Sequence, residues 1–175
     1  MSFANRCRRT ESRWVPAFAG TTGSKRLRLA RAWLRSRYAP AAGLAKGGYV
    51  LADAEGGDPQ VILIGTGSEV SLCVKAHEAL KAEGIRSRVV SLPCTELFEH
   101  QDQAYRDSVL PPSITARVAV EQASTYGWER YVGLTGKVIG MRSFGASAPL
   151  KELQRKFGFT AEAVIAAAKE QLGKA

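Results

Sequence analysis

The sequence from about residue 45 onward predicts an α/β domain with a mainly parallel sheet between layers of helices. Residues 61–64 (VILI) form a continuous apolar run, which is typical of a strand buried on both faces. Short runs of this kind alternate with segments whose apolar residues recur at helical spacing. Strands that are joined through helices form right-handed crossovers, and these crossovers place the strands parallel to one another.

Five strands are predicted from short apolar runs that end in turn residues. They lie at residues 49–52, 61–64, 87–91, 116–120 and 138–141. Gly and Pro clusters separate several of these runs, because such residues favour turns. The chain contains no internal repeat.

The predicted helices begin at hydroxyl side chains or follow turns. Ser68, Ser147 and Thr160 are predicted N-caps, and Thr95 begins a helix that we expect to reach about Ser108. A short helix is predicted around residues 128–132. The helix that begins near Ser147 should contain Pro149 in its first turn and direct an apolar stripe inward, formed by Leu150, Leu153 and Phe157. The predicted C-terminal glycines are Gly84, Gly158 and Gly173.

The net charge of +9 is concentrated near the start of the chain. Residues 1–48 contain 11 lysines and arginines but a single acid, Glu11, whereas residues 49–175 carry a net charge of −1. We therefore interpret residues 1–44 as a basic, poorly ordered extension and residues 45–175 as the folded domain. A transit peptide and a nucleic-acid-binding arm are two alternatives for the extension. No recognisable nucleic-acid-binding module accompanies the arginines, so the sequence does not favour a nucleic-acid partner.

Cysteine usage and hydropathy indicate the compartment. Cys7, Cys73 and Cys94 have no C-x-x-C spacing, which favours neither a disulfide framework nor a zinc site. No apolar run approaches the length of a membrane span, and no hydrophobic region of a secretory signal follows the early arginines. We expect a cytoplasmic protein without a membrane partner.

The Gly65–Glu69 turn, which follows the second predicted strand, is the best local candidate for a binding site. Gly65, Thr66, Gly67 and Ser68 lead into a helix, whose free N–H groups and dipole favour anions. Val70 replaces the third glycine of a dinucleotide fingerprint, and no Gly-Lys-Ser/Thr of a phosphate-binding P-loop follows. Two interpretations stay open: a site for a phosphate or nucleotide, or a tight strand-to-helix turn that requires small residues.

Few titratable residues indicate chemistry. His77 lies on the apolar face of its predicted helix, where we expect a core or interface role, and His100 lies in a polar stretch, where we expect exposure. Neither has metal-ligand partners or a nucleophile at a suitable spacing. Glu121 ends the fourth predicted strand, where α/β proteins often bind ligands, but Arg117 or Arg130 could equally pair with it. We therefore predict no catalytic residue and no metal site, and retain Glu121 as a candidate binding residue.

Several motifs in succession resemble the C-terminal domain of transketolases. They are residues 48–51 (GYVL), 61–70 (VILIGTGSEV), 88–93 (RVVSLP), 104–111 (AYRDSVLP), 117–121 (RVAVE), 144–149 (FGASAP) and 157–160 (FGFT). The resemblance covers about residues 45–175, with the motifs in order and at the expected spacings.

The resemblance implies a three-layer α/β/α domain with a five-stranded, mostly parallel sheet whose first strand is antiparallel. It also implies the activity of the parent family, which transfers a two-carbon ketol unit between sugar phosphates with thiamine diphosphate and a divalent metal. Members of that family are homodimers of three-domain chains. Their C-terminal domain packs on the middle domain and supports the assembly.

The family's cofactor-binding residues have no counterpart in this sequence. The family holds the metal and diphosphate with a Gly-Asp-Gly motif and a downstream asparagine, whereas Asn5 is the sole asparagine here and Pro59 follows Gly57-Asp58. The family's activating glutamate, catalytic histidines and phosphate-binding arginines belong to its other domains. We therefore expect no cofactor on this chain, no activity by it alone, and a structural or assembly role with other transketolase domains or further copies of itself. The alternative is a regulatory module that binds a phosphate or nucleotide at the Gly65–Glu69 turn.

Overall fold

The computed structural model describes residues 41–173, in which five strands form one sheet. The strands are β1 (Tyr49–Ala52), β2 (Val61–Gly65), β3 (Ser87–Ser91), β4 (Arg117–Ser124) and β5 (Lys137–Met141). Their order in the sheet is β1-β3-β2-β4-β5. β1 pairs antiparallel with β3, and every other neighbouring pair is parallel. The predicted mixed sheet with an antiparallel first strand is therefore confirmed.

Six α-helices lie within the described range. They are α1 (Val70–Ala82), α2 (Thr95–Glu99), α3 (Gln103–Val109), α4 (Glu129–Val132), α5 (Leu150–Phe157) and α6 (Ala161–Gln171). Two short 3-10 helices cover Ala41–Lys46 and Gly67–Glu69. Residues 1–40, which form most of the predicted extension, lie outside the described residues.

The central strand explains why residues 61–64 are apolar without alternation. All five residues of β2 are buried, because β3 and β4 flank it and helices cover both of its faces. Val61 and Leu63 belong to one core cluster, and Ile62 and Ile64 belong to the other. A residue on either side of such a strand is transferred from water into a packed interior, so the whole run is apolar.

Two helical layers define the two faces of the sheet. We call the first the α1/α6 face, where Leu72, Leu80, Val164 and other buried residues of these helices pack on the sheet. We call the second the α2–α4 face, where the buried aromatic residues Phe98 and Tyr131 pack on the other side. The layers confirm the predicted α/β/α arrangement.

Two of the three predicted N-caps are wrong. A 3-10 turn occupies Gly67–Glu69, so α1 begins at Val70 and Ser68 does not cap it. The helix predicted to begin at Ser147 begins instead at Leu150, and Pro149 holds the N-cap position without a side-chain bond. The prediction for Thr160 is confirmed, because its hydroxyl oxygen accepts a hydrogen bond from the Ala163 N–H at 3.2 Å.

The helix predicted from Thr95 to about Ser108 is divided in two. α2 ends at Glu99, and α3 begins after Asp102, whose carboxylate accepts a hydrogen bond from the Tyr105 N–H at 2.7 Å. Asp102 has extended backbone angles, which place it at an N-cap rather than inside a helix. The apolar spacing runs through the break, and for that reason periodicity predicts one helix.

The inward stripe predicted for the helix at residues 150–157 is mostly wrong. No residue of α5 is buried, and the side chain of Leu150 is 65% exposed. Phe157 alone of the three predicted residues packs against the core cluster of the α1/α6 face, where it is partly buried. Residues 142–149 before α5 are all exposed.

Backbone conformation explains two of the helix ends. Gly84 follows α1 with φ of +76°, and Gly158 follows α5 with φ of +78°, in the left-handed region that side chains with a Cβ disfavour. Both glycines end helices as predicted. In the part of the chain that the structure describes, no helix combines the length and the apolar composition needed to cross a membrane.

Candidate functional site

The candidate site lies at the carboxyl ends of β2 and β4, which are neighbours in the sheet. Gly65 pairs in register with Val120, so the Gly65–Glu69 turn lies beside Glu121. β2 and β4 are neighbours in the sheet. The chain continues from β2 to β3 on one side of this pair, and from β4 to β5 on the other side. Such a switch point leaves a crevice outside the strand ends, because the two connecting segments diverge. Strand pairing thus brings together the two regions that the sequence singled out.

Close packing explains the first glycine of the turn. A Cβ on Gly65 would lie 3.0 Å from the Cys73 sulfur and 3.0 Å from the backbone of Val70. Gly67 has φ of +46°, a conformation that glycine adopts at little cost. The Glu69 N–H donates to the Thr66 carbonyl at 3.0 Å and closes the turn. A tight turn therefore accounts for the glycines, and an anion site at these residues stays a prediction.

Glu69 places a buried carboxylate at the start of α1. Its side chain is 5% exposed, and its Oε1 accepts a hydrogen bond from the Ser68 hydroxyl at 2.8 Å. Burial raises the pKa of the Cys73 thiol to about 12, and the Glu69 carboxylate adds to that increase. Cys73 is therefore a buried, protonated thiol rather than a nucleophile.

Glu121 lies inside β4 rather than at its end, because the strand continues to Ser124. Its side chain is half-buried. Burial is the main cause that raises the pKa of its carboxyl group, and repulsion from Glu69 raises that pKa further. The two arginines considered as partners bind elsewhere. Arg117 donates to backbone carbonyls, and Arg130 forms an ion pair with Glu99 at 2.6 Å. The candidate site therefore contains two neighbouring carboxylates, Glu69 and Glu121, that repel each other.

His77 is a core histidine, as its position on the apolar face of α1 predicted. It is 7% exposed, and its Nδ1 lies 2.8 Å from the Ser87 hydroxyl oxygen, which joins α1 to β3. Burial lowers the pKa of its imidazole. His100 is exposed, and its Nδ1 lies 2.6 Å from the Glu96 carbonyl oxygen. Neither histidine lies beside an accessible nucleophile.

A second polar cluster, which the sequence did not indicate, lies beside a cleft of about 430 Å³ between α2, α3 and α4. Glu99 accepts hydrogen bonds from the Arg130 guanidinium and the Tyr131 hydroxyl. Arg117 crosses the same region and donates to the carbonyls of Tyr131 and Pro111 at 2.7 and 2.8 Å. These groups satisfy one another, so the cluster joins helices and loops. Local sequence patterns could not identify this cluster, because its members come from three separate elements, α2, β4 and α4.

Residues 41–173 do not fit the cofactor that the resemblance associates with the parent family. Within this range no three His, Cys, Asp or Glu side chains are grouped so that they could hold a metal ion. The crevice presents carboxylates where a diphosphate would require donors and positive charge. We therefore assign no step of ketol transfer to these residues.

The fold and the crevice define an open α/β domain with one antiparallel edge strand. A family model described as the transketolase-like TK C-terminal domain matches residues 47–160. The chloroplastic transketolase of Solanum tuberosum is 56% identical over 129 residues, and transketolase 1 of Escherichia coli (strain K12) is 55% identical over 131 residues. This chain belongs to the transketolase family, which it matches in the C-terminal domain.

The chain corresponds to a small part of these relatives. The aligned regions cover 73% and 75% of this chain but only 17% and 20% of the potato and E. coli proteins. Transketolase from Leishmania mexicana superposes with a TM-score of 0.70 at 41% identity, over 78% of this chain and 19% of that structure. A split gene transketolase, solved as an inactive beta4 tetramer, has a TM-score of 0.59 at 21% identity, over 74% of this chain and 43% of that structure. This last match shows a shared fold.

Proposed function

We propose that this chain is an isolated transketolase C-terminal domain with a structural role in assembly and no ketol-transfer activity by itself. The match of residues 47–160 to the family's C-terminal domain carries this proposal. The chain spans about a fifth of the length of the curated relatives it matches, so four fifths of their length has no counterpart in the alignment. Among the described residues, no three His, Cys, Asp or Glu side chains are grouped so that they could hold the family's divalent metal.

The proposed partners are polypeptides that carry the cofactor-binding domains of a transketolase. Joined to them, the domain would support the transfer of a two-carbon ketol unit between sugar phosphates in the pentose phosphate pathway. Self-association is the second mode of assembly that we propose, since a domain without its usual neighbour exposes the surface that the neighbour covers. The proposed compartment is the cytoplasm, where these sugar phosphates would be present.

Two mixtures test the proposal, the first by an assay of ketol transfer and the second by thermal unfolding. The first contains this chain with thiamine diphosphate, a divalent metal, a ketose phosphate and an aldose phosphate, and we expect no product. The second adds a transketolase fragment that ends before the C-terminal domain. We expect the fragment's thermal midpoint to rise when the chain is present, because a ligand that binds the folded state stabilises it. Turnover by the chain alone would contradict the proposal.

A regulatory role at the Gly65–Glu69 turn is the second candidate. Its support is the location of the turn at the switch point and at the start of a 13-residue helix, whose dipole favours an anion. The buried Glu69 carboxylate opposes an anion at the same place. Calorimetry with inorganic phosphate, nucleotides and sugar phosphates tests it, and heat at millimolar ligand that Gly67→Ala abolishes would support it. The absence of heat for every ligand would exclude it.

A further inference from the structure

The cleft between α2, α3 and α4 is lined by more positive than negative side chains. Its volume of about 430 Å³ lies within the range of small-molecule pockets. Arg106, Arg117 and Arg130 line it together with two carboxylates, Glu99 and Asp107. Three positive charges face two negative ones, so the lining carries one positive charge that it does not balance itself.

Two of the three guanidiniums have partners within the domain. Arg117 donates to four backbone carbonyls, which uses most of its N–H groups. Arg130 donates through Nη1 to the Glu99 carboxylate at 2.6 Å, but its side chain is 68% exposed. Because a guanidinium has five N–H donors, Arg130 retains donors for a further acceptor.

Arg106 is the least satisfied of the three. Its Nη2 donates to the Gln103 amide oxygen at 2.6 Å, and the amide nitrogen of Gln103 donates to Asp107 at 2.7 Å. An amide thus bridges this guanidinium and carboxylate, which form no direct ion pair. In the range 41–173 the Arg106 Nε is the one buried side-chain nitrogen or oxygen without a hydrogen-bond partner. A cation in this condition gains much from an added acceptor, because burial removes water from it.

The pKa of Glu99 shows that the charged groups lie within electrostatic reach of one another. Hydrogen bonds from Arg130 and Tyr131 are the main causes that lower this pKa, and the charge of Arg106 lowers it further. Arg106 on α3 and Arg130 on α4 therefore both act on the same carboxylate. Their guanidiniums face a common region of the cleft.

The rest of the lining is apolar. Phe98, Leu110 and Tyr131 are at most 7% exposed, and the rings of Phe98 and Tyr131 lie 6.4 Å apart. Pro112 lines the same cleft. Apolar walls with a few converging polar groups are typical of sites for small organic molecules.

We propose that this cleft binds a small organic anion, in which a carboxylate or phosphate head group is attached to a compact apolar body. The head group accepts hydrogen bonds from Arg106 and Arg130, and the body lies against Leu110 and Pro112. A single negative charge balances the surplus positive charge of the lining. This inference is independent of the proposed assembly function, and the site shares no residue with the Gly65–Glu69 turn.

Titration of the full chain with benzoate, followed by nuclear magnetic resonance, tests the proposal. Phenyl phosphate supplies the alternative head group, and benzamide is a neutral control of nearly the same shape as benzoate. We expect benzoate or phenyl phosphate to produce saturable shifts at the amides of α2, α3 and α4 and at the Arg106 Nε–H. Benzamide should bind at least about tenfold more weakly, because it lacks the charge. Equal binding of benzamide, or shifts spread over the whole domain, would overturn the site.

Substitutions separate this cleft from other positive surfaces. Gln103→Glu places a carboxylate beside the Arg106 Nη2, so it should weaken benzoate binding at least about tenfold while the exposed position keeps the fold intact. Arg130→Gln should weaken binding to a similar extent. Arg142→Gln removes an exposed arginine outside the cleft and should bind like the wild type. Gly67→Ala should also bind like the wild type, which distinguishes the cleft from the turn.

Thermal unfolding provides an independent measure. A ligand that binds only the folded state raises the thermal midpoint, so benzoate should stabilise the wild type and Arg142→Gln but not Gln103→Glu. If Gln103→Glu proved unfolded, Arg130→Gln would decide, since most of its side chain is exposed. Equal binding by all variants would overturn the assignment to this cleft. No binding of benzoate or phenyl phosphate at millimolar concentration would overturn the inference and leave the assembly function intact.

Discussion

The two faces of the sheet are stabilised by different means. On the α1/α6 face two helices of 13 and 11 residues cover the sheet. On the α2–α4 face the helices have 5, 7 and 4 residues. The last four carbonyls of any helix lack intrahelical partners, so in helices this short most of the carbonyls need partners from elsewhere. The short-helix face therefore depends on polar side chains that the long-helix face does not require.

The hydrogen bonds follow this difference. Arg117 donates to four carbonyls around α3 and α4, those of Leu110, Pro111, Ile114 and Tyr131. Arg88 donates at 2.8 Å to the Ser108 carbonyl at the end of α3. The α1/α6 face has polar contacts of other kinds, such as the surface ion pair between Lys169 and Glu83 at 2.7 Å and the buried contact of His77 with Ser87. Long helices satisfy most of their own backbone groups, so apolar packing provides most of the stability on that face.

The largest expected effect is the loss of an apolar side chain from the α1/α6 face. Leu80 in α1 is fully buried, so Leu80→Ala should lower the free energy of unfolding by about 2–5 kcal/mol. Urea denaturation followed by circular dichroism measures it. The control is Leu134→Ala, which should change stability by less than about 0.5 kcal/mol because the side chain is exposed. Similar losses at both positions would contradict the assignment of stability to this packing.

The next effect tests the polar support of the α2–α4 face. Arg117→Met retains much of the apolar stem but removes the guanidinium, and we expect it to lower the free energy of unfolding by about 2–3 kcal/mol. Lys169→Met removes a cation from the other face, where an exposed ion pair contributes about 0–1 kcal/mol. Urea denaturation of both variants makes the comparison. A larger loss of stability for Lys169→Met than for Arg117→Met would contradict the proposed difference between the two faces.

A smaller effect is expected at the break between α2 and α3. Asp102→Ala removes the carboxylate that caps α3 and should lower the free energy of unfolding by about 1 kcal/mol. Asparagine caps helices nearly as well as aspartate, so Asp102→Asn should retain most of the stability. Thermal or urea unfolding of both variants tests this. Equal losses would show that the negative charge matters rather than the cap.

The smallest effect concerns pH and the α1/α6 face. Because burial lowers the pKa of His77 in the folded state, the unfolded chain binds a proton first as the pH falls below about 6.5. Stability should therefore decrease from pH 7 toward the lower, folded-state pKa of His77. His77→Gln should remove this part of the pH dependence, whereas His100→Gln should leave it intact because that variant retains the buried His77 imidazole. Urea denaturation at several pH values gives the difference between each variant and the wild type.

The sequence signals that predicted structural elements correctly are local and extend over only a few residues. Runs of β-branched and apolar residues identified every strand of the described range to within a few residues, and Gly84 and Gly158 ended helices as expected. The N-caps predicted at Ser68 and Ser147 were wrong: a 3-10 turn occupies Gly67–Glu69 before α1, and Pro149 rather than Ser147 holds the N-cap position of α5. The break at Asp102 was missed because apolar spacing continues across it.

The candidate site required long-range information. Gly65 and Glu121 were each singled out, but their adjacency follows from the pairing of β2 with β4, which no local pattern specifies. Glu69 was part of the predicted turn, but its buried carboxylate was not foreseen, because the sequence suggested donors for an anion. The Glu99 and Arg117 cluster joins elements that are distant in sequence, so it was missed as well.

The sequence by itself determined the class and family of this protein. Alternating strand and helix periods require an α/β domain, and the ordered motifs resemble one family that the comparisons then identified. The tertiary structure decided which side chains are neighbours and which remain exposed. Leu150 was predicted to face inward and Phe144 is equally apolar, yet both are exposed in the structure. Burial depends on what covers a side chain, and that is a property of the whole fold rather than of the local sequence.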